Sequence, residues 1–100
     1  MYGLKESDIA ILQEIGKNHP GIKRIIIFGS RARGNYKNAS DVDLAIEGDL
    51  SPADIWKISG LLNDEAPTPY FFDVVHFDNL SGRGFKERLE GEGSVVYSKT

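Results

Sequence analysis

At 100 residues, with 40% apolar and 27% charged side chains, the chain has the size and make-up of a single domain, spanning 1–100, around one modest core. The formal charge is -3 and the basic residues are scattered apart from Arg31, Arg33 and Lys37, so no broad positive face is on offer and direct nucleic-acid binding is not expected. Cysteine is absent, which excludes disulfides, thiolate zinc sites and cysteine nucleophiles; no apolar run approaches the ~18 residues of a membrane span and MYGLKESD lacks the regions of a signal peptide, so the expected location is the cytoplasm, with no membrane partner.

The first periodic segment is SDIAILQEIGKN, residues 7 to 18. Ile9, Leu12 and Ile15 recur at three-residue spacing with Ile11 alongside, which predicts a helix with one apolar stripe, stopped by HPG at 19–21. IKRIIIF at 22–28 is short and β-branched and predicts a strand covered on both faces, ended by Gly29. A turn through GNYKNAS follows, its geometry supplied by Gly34, Asn35 and Asn38, with Tyr36 either stacking on a base or capping the core. DVDLAIE at 41–47 then alternates: Asp41, Asp43, Ala45 and Glu47 share one face, and Val42, Leu44 and Ile46 the other. Two carboxylates therefore sit on one face of a strand that the other face anchors in the core.

SPAD at 51–54 supplies a Ser cap, a Pro at the first helical position and an acid three residues after the cap. The helix it opens is expected to run through Ile55, Ile58 and Leu62 to about Asp64, with Trp56 in the core or at a partner interface. EAPTP breaks the pattern, and YFFDVVHF at 70–77 reads as a third strand carrying one charge, Asp73. A short helix around GFKERLE and a small final strand, SVVYS, complete the chain. His19 and His76 lie far apart and read as turn, surface or packing residues. This order predicts an α/β or α+β sheet with helices packed over it, strand order and direction left open.

The chemistry concentrates in FGSRARGNYKNASDVDLAI, residues 28 to 46. Two carboxylates on one strand face repel each other and lose solvation, and a divalent cation resolves both problems. Mg²⁺ takes hard oxygen ligands and bridges one or two carboxylates to a substrate phosphate, so Asp41 and Asp43 are candidate ligands. Asp73 joins them if its strand lies beside DVDLAI; otherwise it is an edge-strand or ion-paired residue. Gly29 lets backbone approach a phosphate, and Ser30 offers a hydroxyl at the start of the following turn. Arg31 and Arg33 either bind the same anion or belong to the surface, and Ser40, a further nucleotide-binding candidate, ties the loop to the strand. There is no GxxxxGK[ST], so a P-loop is excluded.

These segments resemble the minimal nucleotidyltransferases (MNT) of the DNA polymerase beta-like superfamily, whose pattern is an apolar residue, Gly-Ser, a spacer, Asp-apolar-Asp-apolar, and a third acid on a later strand. Phe28, Gly29, Ser30, Asp41, Val42, Asp43 and Leu44 match it, ten residues separate Ser30 from Asp41, and Asp73 matches the later acid. The resemblance implies a nucleotidyltransferase fold with a small mixed sheet of about four strands. It implies Mg²⁺, with Mn²⁺ as substitute, held by Asp41, Asp43 and Asp73, and transfer of AMP from ATP to a hydroxyl. It also implies a helical HEPN-type toxin encoded nearby, modified on a tyrosine by this chain as antitoxin, or a homo-oligomer where no such partner exists. A rival expectation is a nucleotidyltransferase-fold module with weak or lost transfer that neutralises its partner by contact.

Overall fold

A computed structural model describes residues 2–34 and 41–99. Helix α1 spans Glu6–Asn18, strand β1 Ile22–Phe28, the one-turn helix α2 Ser30–Arg33 and strand β2 Val42–Gly48. Helix α3 covers Pro52–Gly60 and continues into a π-helical turn, Leu61–Glu65; β3 is Phe72–His76, followed by a 3₁₀ turn at Phe77–Asn79, helix α4 at Arg83–Glu92 and strand β4 at Ser94–Ser98. The expected elements are therefore present in the expected order. The predicted capping box also forms: Asp54 N–H donates to Ser51 Oγ at 3.1 Å and Ser51 N–H to Asp54 Oδ2 at 2.9 Å, with Pro52 in the first helical position.

The four strands form one mixed sheet in the order β3-β2-β1-β4. β1 runs antiparallel to both β2 and β4, while β2 and β3 are parallel, joined by the α3 crossover that parallel neighbours require. Helices α1 and α3 cover one face, where Leu12, Ile15, Ile25, Ile27, Leu44, Ile46, Ile58 and Leu62 make the main core. On the other face Leu89 of α4 packs with Ile26, Ala45 and Phe77. This two-sided cover is why IKRIIIF reads as a continuous apolar run rather than an alternating one.

Arg24 fastens α4 to the sheet. Its guanidinium donates to Glu47 on β2 at 2.6 Å and to Glu90 on α4 at 2.5 Å, and lies 5.6 Å from the centre of the Phe77 ring. Both histidines make local backbone contacts, His19 with Ile15 O at 2.9 Å and His76 with Gly48 O at 3.0 Å. Trp56 is not a core residue: it stands 83% exposed on α3. Among the described residues no helix is long and apolar enough to cross a membrane.

Candidate functional site

One lateral row of the sheet carries the site. Phe28 pairs with Asp43 across the antiparallel β1-β2 ladder, and Asp43 pairs with Asp73 across the parallel β2-β3 ladder. Paired residues point to the same face, and side-chain alternation puts all three on the face shared with Ile26, Ala45 and Val75, the face covered by α4. Asp73 thus lies on the strand beside the Asp-x-Asp strand, and that strand is the last of the described sheet. Asp41 precedes β2 and is exposed, as is Asp73; Asp43 alone is half-buried.

Gly29 follows Phe28 with φ 75° and ψ -151°, a corner of conformational space kept for glycine. A methyl group there would overlap Asp43 Oδ2, with Asp43 Cγ at 3.3 Å, so the missing side chain is the space in which the carboxylate rests. Ser30 then opens α2, a single turn closed by the Arg33 N–H to Gly29 O bond at 3.1 Å. The Gly29-Ser30 turn and the acids are consequently neighbours in space.

The electrostatics agree with this crowding. Burial pushes the Asp43 carboxyl above its ordinary value, the negative charges of Asp73 and Asp41 add to the rise, and Arg33 opposes it. A pair of hard-oxygen donors with a third on the adjacent strand suits a divalent cation in chemistry. Among the described residues no three acids or imidazoles already converge as a metal-holding group.

The two arginines separate. Residues two apart on a helix diverge by roughly 200°, so Arg31 and Arg33 cannot face one anion together. Arg33 is exposed and lies 3.9 Å from Glu92 on α4. Arg31 is only 2% exposed and turned inward: Nη1 donates to the Tyr2 carbonyl at 2.8 Å, and the guanidinium carbon lies 4.8 Å from the centre of the Tyr70 ring. Tyr70 in turn donates its hydroxyl to Gly3 O at 3.2 Å. The expectation of Arg31 as a phosphate contact does not suit this placement, because its charge is engaged inside the fold. Ser40, Tyr36, Asn35 and Asn38 lie outside the described residues.

Asn63, on the π-helical turn, escaped the sequence reading. Its side-chain amide donates to Phe72 O at 2.9 Å and accepts from Phe72 N–H at 2.7 Å, which fixes the strand one residue before Asp73. An Asn beside a buried Leu on a helix carries no local signature of this task; only the fold of α3 onto β3 reveals it.

The family profile described as polymerase beta, nucleotidyltransferase, matches residues 10–100. A Methanocaldococcus jannaschii chain described as a candidate protein adenylyltransferase is 59% identical over 29 residues, so the match spans 29% of this chain and 29% of that relative. Among solved structures, one chain of a toxin-antitoxin complex with AMP-PNP superposes with a TM-score of 0.73 at 22% identity, over 97% of this chain and 76% of its own. A Shewanella oneidensis complex of a tri-AMPylated HEPN toxin with an MNT antitoxin gives a TM-score of 0.70 at 16% identity, over 96% of this chain and 74% of its own. At these identities the structural likeness establishes the fold.

Proposed function

The chain belongs to the polymerase beta nucleotidyltransferase family, and from that premise we propose that it transfers AMP from ATP to a hydroxyl of a separate protein. The acceptor we favour is a tyrosine of a helical HEPN-type toxin, with this chain as the cytoplasmic antitoxin and residues 1–100 forming a catalytic domain. The observation that carries the reading is the Phe28-Asp43-Asp73 row with Gly29 vacated beneath the Asp43 carboxylate. The names of the relatives support that acceptor: one is described as a candidate protein adenylyltransferase, and another structure pairs an MNT antitoxin with an AMPylated HEPN toxin.

In this reading Asp41 and Asp43, joined by Asp73, hold Mg²⁺, or Mn²⁺ in its place. The bound ion supplies charge neutralisation at the α-phosphate and at the departing pyrophosphate. Gly29 and Ser30 hold the β- and γ-phosphates through backbone N–H groups and the Ser30 hydroxyl, with Arg33 adding charge from the open side of α2. Asp73, exposed at the sheet edge, takes the proton from the attacking hydroxyl. The acceptor oxygen bonds to the α-phosphorus as the bond to the β-phosphate oxygen breaks. Arg31 serves by holding α2 against the Tyr2 and Tyr70 segments rather than by touching nucleotide.

Contact-only neutralisation, the rival reading, draws on Trp56, whose exposure suits a docking surface. Co-expression with the helical protein encoded beside it, followed by incubation of the complex with MgATP and mass spectrometry, decides between them. A mass gain of one or more AMP on a partner tyrosine is expected. A tightly bound partner that stays unmodified would leave contact as the mechanism.

A further inference from the structure

A cavity of about 160 Å³ opens beside Gly29, between α2 and α4. Phe28, Phe85 and Leu89 form its apolar walls, and Arg33, Arg88 and Glu92 its polar rim. The rings of Phe28 and Phe85 meet edge to face, with centroids 6.1 Å apart and planes at 80°, and Phe85 remains 42% exposed. Pockets that enclose a whole small ligand measure roughly 300–1,000 Å³, so this one has room for a fragment. It adjoins the phosphate turn at Gly29 and lies on the same sheet face as Asp43.

We propose that this cavity receives the nucleobase of the bound triphosphate, with Phe85 as the stacking surface and Glu92 as the acceptor for an exocyclic amine. The proposal rests on the reading of Gly29 and Ser30 as the phosphate turn, and it adds what that reading lacks, a device for choosing the nucleotide. Polyphosphate would find donors only at the Arg33 and Arg88 rim, whereas the three apolar walls inside suit a ring. A flat ring suits the aromatic wall, since every base has a π-face to stack. Arg33 stands between the two chemistries, 3.9 Å from Glu92 yet close enough to Asp43 to oppose its rise in pKa. Adenine, cytosine and guanine each present an amine to such a carboxylate; uracil presents a carbonyl oxygen, which a carboxylate rejects. Arg88, exposed across the same rim, is placed to donate to a ring nitrogen.

The test is calorimetric titration of the full chain in Mg²⁺ with tripolyphosphate, ATP, GTP, CTP and UTP, with melting curves recorded for each variant. The wild type should bind ATP at least about 10-fold more tightly than tripolyphosphate or UTP, and the GTP and CTP arms identify which amine-bearing base fits best. Phe85→Ala should weaken ATP by roughly 10- to 100-fold, the size of one lost base-aromatic stack, and leave tripolyphosphate within about twofold. Phe85→Leu, which keeps apolar packing but removes the ring face, should do the same should Phe85→Ala fold poorly. Glu92→Gln, whose amide can donate to a carbonyl, should narrow the gap between ATP and UTP. Equal wild-type affinity for ATP and tripolyphosphate, or a Phe85→Ala or Phe85→Leu variant that weakens both ligands alike, overturns the base pocket while Mg²⁺-dependent tripolyphosphate binding keeps the phosphate turn. Loss of all Mg²⁺-dependent binding in the wild type overturns the phosphate reading and the base pocket with it.

Discussion

Gly29→Ala tests the centre of the site, and Gly34→Ala supplies its control, because the two glycines flank the same one-turn helix. Gly29 sits at φ 75° and ψ -151°, where any L-residue costs of the order of 1–3 kcal/mol. Its new methyl would also displace the Asp43 carboxylate, whose Cγ lies 3.3 Å from the ideal Cβ position. Gly34, at φ 83° and ψ 5°, is left-handed as well, at about 1–2 kcal/mol for a non-glycine residue, but among the described residues nothing lies within 4 Å of its Cβ. For a domain of this size 1 kcal/mol moves Tm by roughly 4–8 °C, so both variants should melt lower, by overlapping amounts. Melting alone therefore does not separate them, and metal-dependent nucleotide binding does. Titrated with MgATP below both melting points, Gly34→Ala should stay within about threefold of wild type. Gly29→Ala should lose about 10- to 100-fold, the usual loss when a group orienting a metal ligand is disturbed. A well-folded Gly29→Ala variant with wild-type MgATP affinity would refute the placement of the Asp43 carboxylate over Gly29 as part of the site.

Asp43 is raised in the folded, metal-free protein, so the native state holds its proton more tightly than the unfolded chain, and the stability this gives is lost as pH rises through the native pKa. Asp43→Asn should accordingly melt higher than wild type at pH 7 without metal, lose that advantage below the ordinary aspartate value of 3.8, and fail to bind MgATP, as melting curves across pH and calorimetry would record. Asp73→Asn should keep ATP binding within a few fold while transfer to the partner, followed by mass spectrometry, falls ~10²-fold or more; undiminished transfer would remove Asp73 from the chemistry. Asn63→Ala deletes both bonds to Phe72, a residue 1% exposed, and leaves a buried N–H unsatisfied at ~1–3 kcal/mol, so Tm should drop and transfer should suffer more than ATP binding.

What the sequence disclosed follows from the range of the physics involved. Asp41 and Asp43 are legible because the two-residue period of a strand puts them on one face without reference to any other element. Gly29 and Ser30 are legible because a strand end and a turn are local. The capping box at Ser51 is written within four residues and forms as read. Arg31 and Arg33 look equivalent in SRARG, yet helical rotation sends one inward onto Tyr2 and Tyr70 and the other outward to Glu92. Trp56 shows the same limit from the other side, since a large apolar residue in an amphipathic segment suggests burial and only the packing of Ile58 and Leu62 decides which stripe faces in. Asn63, Phe85 and Glu92 depend wholly on how α3 and α4 land on the sheet.

The direction of β3 is the step on which the third acid depends. Because β1 and β2 are antiparallel, the end of β1 lies beside the start of β2, which brings the Gly29 turn to the same end of the sheet as Asp41 and Asp43. Asp73 stands near the start of its own strand, so it reaches that end only if β3 runs parallel to β2; an antiparallel return would carry it towards Gly48 instead. A parallel neighbour demands a crossover, and α3 with its π-helical turn supplies it, Asn63 then fixing the register at Phe72. The same topology leaves β3 as the last strand of the described sheet, with Asp73 exposed at its edge, while on the Phe28 side the proposed base takes the cavity between α2 and α4. In the proposed reaction a partner's hydroxyl must therefore come in past β3, opposite the base and the leaving pyrophosphate, which is the approach that in-line displacement at the α-phosphorus requires.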